Sequence, residues 1–310
     1  MRAASGEVAR PFQIICMSQI ERPQNIRLGI GLLLIAVALF TIGEAIVKSL
    51  AHDYDITQIV WARYIFHALV TYTVFSRVNV FRLARTTRPG LHIARSALML
   101  AATTLFFTSL RYLALADAIA ISFVGPLLVT ALSIPILKEQ VGIRRWMAIL
   151  VGFGGVLFII RPGMGVMHWA AVLPLCTAVC YAFYQILTRI ASRSDDTQTS
   201  LFWMSAFGVV VSSVAVPFFW TMPGPIEWVM MAALGTVYGL GHYLLIRGLE
   251  IAPASKLSPF LYTQIIWATL LGLVVFDQFP DGPTLIGGAI VIGSGLYIWW
   301  RESVRRPGEE

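Results

Sequence analysis

Gly154-Gly-Val-Leu-Phe-Ile-Ile-Arg161 recurs as Ser294-Gly-Leu-Tyr-Ile-Trp-Trp-Arg301, 140 residues later. Asp55-Ile-Thr-Gln58 returns as Asp195-Asp-Thr-Gln198 at the same offset of 140. Between them, Arg111-Tyr-Leu-Ala-Leu-Ala116 returns as Arg247-Gly-Leu-Glu-Ile-Ala252, at an offset of 136. A register that holds within a few residues over a whole half-chain marks an internal duplication. In an apolar chain, such repeats build carriers whose site lies between the halves.

The chain is apolar enough for that reading. Of its 310 residues 57% are hydrophobic and only 13% charged, and its mean hydropathy is +0.76. A soluble domain carries about 25% charged residues. Long apolar runs split by short charged loops indicate an all-α, polytopic membrane protein rather than a barrel of alternating ~10-residue strands. The net charge of +7 is read through its distribution along the chain, and no nucleic-acid partner is expected. The apolar faces are expected to meet membrane lipid.

Ten transmembrane helices are expected, at roughly 28–50, 57–76, 92–111, 114–137, 146–161, 167–188, 199–220, 227–247, 255–276 and 283–300. Each approaches the ~20 residues that cross the hydrocarbon. Basic residues orient them. With the N-terminus in the cytoplasm, 19 of the 23 Lys and Arg lie on the inner side, leaving Lys48, Arg63, Arg111 and Arg161. Both termini are then cytoplasmic. Because each half has an odd five spans, the second half must insert upside down, giving two inverted five-helix repeats. The expected division is a cytoplasmic tail over 1–27, a first repeat over 28–161, a second over 166–301 and a short cytoplasmic tail over 302–310. Residues 1–27 are mixed polar, with Glu7 and Glu21 interrupting any signal-peptide core. Met17 would make a natural start, so residues 1–16 are expected to have no fold role. Cys16, Cys176 and Cys180 form no disulfide framework, and the last two read as small packing residues.

The run from Phe107 to Gly163 carries further marks: Ala116-Asp-Ala118, Phe123-Val-Gly-Pro126, Lys138-Glu139, Trp146, Gly152-Phe-Gly-Gly-Val156 and Arg161-Pro-Gly163. The second half answers with Ala252-Pro-Ala-Ser255, Ser258-Pro259 and Gly287-Gly288 to Gly295, but departs at Asp277-Gln278. These marks resemble the EamA repeat of the drug/metabolite transporter superfamily, over essentially residues 28–301. The resemblance implies a bacterial inner-membrane carrier of a small organic metabolite. Amino acids, vitamins, nucleosides, sugars and S-adenosylmethionine are all cargoes of the family. The first-half run is most similar to carriers linked to S-adenosylmethionine or riboflavin uptake.

Ionisable groups inside spans cost ~2.5–3.5 kcal/mol on insertion scales and so face a cavity or a partner. Thr41, Glu44 and Lys48 share one face of the first span. The offset of 140 carries them to Tyr181, Tyr184 and Thr188 on the sixth, with Gln185 alongside. Both repeat-opening helices thus bear a polar stripe at matched positions, the best pointer to a substrate cavity; an i,i+4 pair of Glu44 with Lys48 is the plainer reading. By analogy with small multidrug exporters of the same superfamily, Glu44 could also couple substrate to protons.

Arg63 and His67 share a face of the second span, and Arg63-Tyr64 resembles the family's Arg-aromatic pair. Arg63 would bind a carboxylate or pair with Glu44. Arg95 reads as an inner-surface anchor. Gly235 and Gly239 form a GxxxG, read as close helix packing, with Tyr238 and His242 on one face. Gln264 and Trp267 sit in the ninth span, suited to hydrogen-bond and stack a planar substrate, with Tyr262 adjoining. Six other tryptophans (146, 169, 220, 228, 299 and 300) lie near span ends as an interfacial belt. Pro126 and Pro259 interrupt spans four and nine, as hinges or plain kinks.

No His-Glu-x-x-His, P-loop or histidine metal-ligand spacing is present, so no metal, cofactor or enzyme activity is expected. A secondary, non-ATP carrier working by alternating access is the favoured reading. A proton-coupled exporter of amino acids or drugs is the alternative, ahead of a channel or enzyme.

Overall fold

The computed structural model describes residues 25–74, 83–137, 142–161, 169–192, 194–252 and 257–304. Among them there are eleven α-helices, three short 3-10 segments and no strands. The first half supplies α1 (Ile26–Leu50), α2 (Ile56–Val74), α3 (Pro89–Leu110), α4 (Leu115–Ser122), α5 (Gly125–Leu137) and α6 (Ile143–Ile160). The second supplies α7 (Val172–Ala191), α8 (Thr197–Ala215), α9 (Pro225–Ile251), α10 (Gln264–Phe276) and α11 (Gly282–Val304). Marks at Lys138-Glu139, Pro162-Gly163 and Pro253 to Ser255, basic residues such as Arg77, Arg82 and Lys256, and most of both tails lie outside the described residues.

Helix starts depart from the expected ones where proline leads. Helices α3 and α9 begin at Pro89 and Pro225, ahead of the apolar runs, because a first-turn proline needs no N–H partner. The fourth expected span is two helices. Phe123 and Val124 separate α4 from α5, and Pro126, second in α5, has no N–H to give the carbonyl four residues back. The ninth opens as a tighter 3-10 turn over Ser258–Thr263, containing Pro259, before α10 begins. Eight helical stretches among the described residues are long and apolar enough to cross a membrane. The expected second and fifth spans fall short: α2 carries Gln58, Arg63 and His67, and the apolar stretch Trp146–Ile160 is shorter.

Packing follows the duplication. Helix α1 packs on α9, and its repeat mate α7 packs on α3, the mate of α9. Likewise α2 packs on α9 and α8 on α3, while α6 and α11 pack on each other. The halves therefore share their cores. Val47, Ile59, Leu110 and Leu115 lie with Met231, Leu234 and Tyr238, and a second cluster joins Leu127 and Ile149 to Val291 and Ile298. The outward face of α1 carries exposed Leu28, Ile35 and Ile42, seven residues apart. Apolar side chains so placed suit lipid, which leaves the inward face to Thr41 and Glu44.

Close approaches use glycine. The GxxxG of α9 is a packing seam: a Cβ on Gly235 would lie 2.8 Å from the His67 backbone nitrogen, and one on Gly239 2.9 Å from Val70 Cβ. Between α6 and α11, a Cβ on Gly155 would meet the Gly287 carbonyl at 2.9 Å, whereas Gly154 has open space. Arg161, which closes α6 in the left-handed region at φ 51°, pairs with Asp281 ahead of α11. Asp281 also accepts the Thr284 N–H at 2.9 Å, capping α11. Partial burial works against its charge, yet the Thr284 N–H, Arg161 and the Thr284 hydroxyl together hold its pKa below the usual carboxylate value.

Overpacking of a tight contact costs about 1–3 kcal/mol. Gly155→Leu should lower thermal stability in detergent to that extent, while Gly154→Leu leaves it unchanged. Loss of an N-cap costs about 0.5–2 kcal/mol, so Asp281→Ala should destabilise measurably at neutral pH. The stabilising state of Asp281 is the anion with a lowered native pKa. The difference between wild type and variant should therefore be full above about pH 4 and shrink as acid titrates the native carboxylate.

Candidate functional site

Glu44 lies on the inward face of α1 and is 6% exposed. Its Oε1 accepts a 2.8 Å hydrogen bond from Gln264 Nε2, across 220 residues of sequence and between the two halves. Gln264 is the first residue of α10, directly after the 3-10 turn that holds Pro259, so that interruption sets its placement. The other carboxylate oxygen, Oε2, is buried without a partner.

Arg63 on α2 is 2% exposed. Its Nη1 donates to Thr103 Oγ1 at 3.2 Å, and its guanidinium lies over three rings: Tyr238 at 4.4 Å, Tyr64 at 4.9 Å and Phe107 at 5.8 Å. An aromatic box stabilises a cation through the ring faces, but Arg63 Nε keeps no acceptor. Glu44 and Arg63 occupy neighbouring helices of the first half, α1 and α2. No ion pair joins those two among the described residues: the carboxyl is held by Gln264 and the guanidinium by rings and Thr103. The Tyr64 hydroxyl and His67 Nδ1 are likewise buried and unpartnered. The rings of His67 and His242 lie 5.2 Å apart, and that of His242 is 4.9 Å from Phe40. His242 Nδ1 lies 2.8 Å from the Tyr238 carbonyl. A carbonyl only accepts, so that nitrogen carries the proton.

The matched stripe on α7 forms a second cluster. Tyr181 and Tyr184 stack at 5.8 Å, and Gln185 Nε2 donates to the Tyr181 hydroxyl at 3.0 Å. Tyr181 is 37% exposed. The break between α4 and α5 adjoins it, with the Cβ direction of Gly125 3.9 Å from Tyr181 Cδ1. Across the same break, Phe123 meets Tyr262 edge-on at 5.2 Å.

Other expected site residues are placed differently. Lys48 does not pair with Glu44; its ammonium donates to the carbonyls of Leu110 at 3.2 Å and Leu113 at 2.5 Å, at and just past the end of α3. Orphan carbonyls at a helix terminus attract a cation. Thr41 is buried but gives its hydroxyl to its own helix, at Val37 O. Trp267 is 39% exposed, on a face shared with exposed Leu270 and Val274. Phe40, Thr103 and Phe107 escaped the sequence reading because unremarkable residues carry no signal of depth or facing. Gln58, met only as a repeat mark, donates to Thr221 O at 2.8 Å and accepts from Thr221 N at 2.9 Å, clamping the two halves together. Among the described residues no three His, Cys, Asp or Glu come together as metal ligands.

A multi-pass helical membrane protein with a polar interior shared by two repeats is the class defined by this geometry. The EamA-like transporter family matches the chain twice, over residues 27–161 and 168–300. The S-adenosylmethionine uptake transporter of Rickettsia bellii is 24% identical over 277 residues, covering 89% of this chain and 94% of that protein. The riboflavin transporter of Vibrio cholerae is 26% identical over 272 residues, covering 84% and 91%. A crystal structure of a protein sharing 16% identity superposes with a TM-score of 0.63, covering 89% of this chain and 99% of that one, which shows a common fold. The chain belongs to the EamA-like transporter family. It is a transporter of small metabolites and not an enzyme, and a multi-pass protein of the bacterial inner membrane.

Removing one partner of a buried hydrogen bond costs about 1–3 kcal/mol, more for a charged group. Gln264→Leu, which strands Glu44, should therefore lower the melting temperature in detergent. Glu44→Leu in the same background should restore most of the loss, because the isolated carboxyl is then gone.

Proposed function

We propose that the chain is a secondary carrier of a charged small metabolite, working by alternating access. Ten spans with both termini cytoplasmic, divided into repeats at 28–161 and 166–301, would rock about the interior between them. The observation that carries this reading is the hydrogen bond from Gln264 to Glu44. It ties first repeat to second at the matched polar stripe, so any relative motion of the halves must remake it. A ligand that binds one arrangement better than the other shifts the population between them.

The separated Glu44 and Arg63 support a cargo with both a cationic and an anionic group. S-adenosylmethionine has a sulfonium, an ammonium and a carboxylate, together with an adenine that aromatic rings could stack. Riboflavin has no such charge pair, so S-adenosylmethionine is the preferred candidate. The substrate group proposed around these poles is Glu44, Arg63, Tyr64, His67, Tyr238, His242 and Gln264, with Tyr181, Tyr184 and Gln185 opposite. Pro126 and Pro259 are the proposed hinges, since each lies where helical geometry is interrupted.

Purified protein in liposomes should show saturable counterflow of labelled S-adenosylmethionine, and Glu44→Gln or Arg63→Gln should each reduce it at least about tenfold, the loss of one charge-assisted hydrogen bond. Flux that never saturates would contradict a carrier. Counterflow with riboflavin but not S-adenosylmethionine would keep the carrier and overturn the charged cargo. The unpartnered Glu44 oxygen supports proton coupling as a second reading. In that case Glu44→Gln keeps exchange but loses its dependence on a pH gradient.

A further inference from the structure

Arg95 is 1% exposed, among the largest fully buried side chains of the chain. It stands on α3 in the first half, yet most of what it holds belongs to the second. Nε donates to Thr188 Oγ1 at 3.2 Å, Nη1 to the Ser200 carbonyl at 2.9 Å and Nη2 to the Tyr184 hydroxyl at 3.2 Å. The guanidinium also lies over the Tyr184 ring, 5.1 Å from its centre. One turn earlier on α3, His92 is fully buried, stacked at 5.9 Å on Trp203, with Nε2 3.3 Å from Asp195 Oδ2 ahead of α8. Burial opposes the charge of Asp195, but hydrogen bonds from the Ser194 and Thr86 hydroxyls and the nearby His92 ring keep its pKa below the usual carboxylate value. A surface anchor, the reading its place near a span end suggests, would have none of these contacts.

The contacts continue along α7. Arg95 fixes Tyr184, Tyr184 stacks on Tyr181, and Tyr181 takes the Gln185 amide. Tyr184 is also the repeat mate of Glu44, at the offset of 140. A planar guanidinium with three acceptors in three directions fixes a geometry that an ammonium cannot reproduce.

We propose that Arg95 is a positioning residue that latches this end of α3 to α7 and α8 and, through Tyr184, sets the Tyr184–Tyr181 pair for the cargo. When the halves part at this end, Ser200, Thr188 and Tyr184 are released together, so gate and site change in one step. The inference rests on the carrier reading.

Two readouts test it. Spin labels at Arg85 and Gln198, which line a cleft of about 290 Å³ beside Asp195, report the distance across this end in a cysteine-free background. Wild type should give one population. Arg95→Gln should add a longer one, and Tyr184→Phe, which leaves Ser200 and Thr188 in place, should not. In counterflow of S-adenosylmethionine, Arg95→Gln and Tyr184→Phe should each raise KM about tenfold, the loss of one hydrogen bond to a charged group. The double variant should raise it no further, and Arg95→Lys should restore neither readout.

An unchanged distance distribution in Arg95→Gln overturns the latch. A longer population with unchanged KM, or KM effects that multiply, overturns the positioning role and leaves a structural rivet. The distance readout needs no flux, so failure of wild-type S-adenosylmethionine counterflow bears on the proposed cargo or carrier and not on the latch.

Discussion

Polar groups in this chain have nowhere to go but the interior between the repeats. With apolar side chains such as Leu28, Ile35 and Ile42 turned outward, each ionisable group inside a helix must find a partner inward or carry a penalty of several kcal/mol. Glu44 finds Gln264, Arg63 finds three rings and Thr103, Lys48 finds two helix-end carbonyls, and Arg95 finds Thr188, Ser200 and Tyr184. Apart from those of Lys48 and the bond to Thr103, these contacts join residues of the two halves or involve rings from both. The polar interior therefore fixes where the halves meet, and the shared apolar cores complete the contact.

The duplication creates equivalent places and the sequence fills them differently. Glu44 and Tyr184 are repeat mates, yet one is a carboxyl held by α10 and the other a phenol held by α3. Gln58 and Gln198 are mates, yet Gln58 clamps the Thr221 backbone while Gln198 lines an open cleft. Such inequality is what a carrier needs: two states alike enough to exchange, and a site whose poles differ.

Much of this was legible in the sequence. The repeat offsets lead to Glu44 and Tyr184, and the GxxxG of α9 marks a true seam. Position in sequence gives depth in the membrane but not facing, which is why Phe40, Thr103 and Phe107 carry no mark of their place beside His242 and Arg63. Spacing of i,i+4 proposes a Glu44–Lys48 pair, but the carbonyls at and just past the end of α3 lie within reach of Lys48 and outcompete it. Arg95 reads as an anchor because it is near a span end, and only the packing of α7 and α8 over α3 makes that place interior. Helix starts were displaced because proline at the first turn leads the apolar run by two or three residues.

Access to Tyr181 tests the account most directly. A single cysteine at that position, in protein lacking Cys16, Cys176 and Cys180 and reconstituted in liposomes, can be alkylated by an impermeant reagent from either side. Alternating access predicts labelling from both sides, slowed by S-adenosylmethionine. Labelling from one side only, at a rate indifferent to that compound, would contradict it.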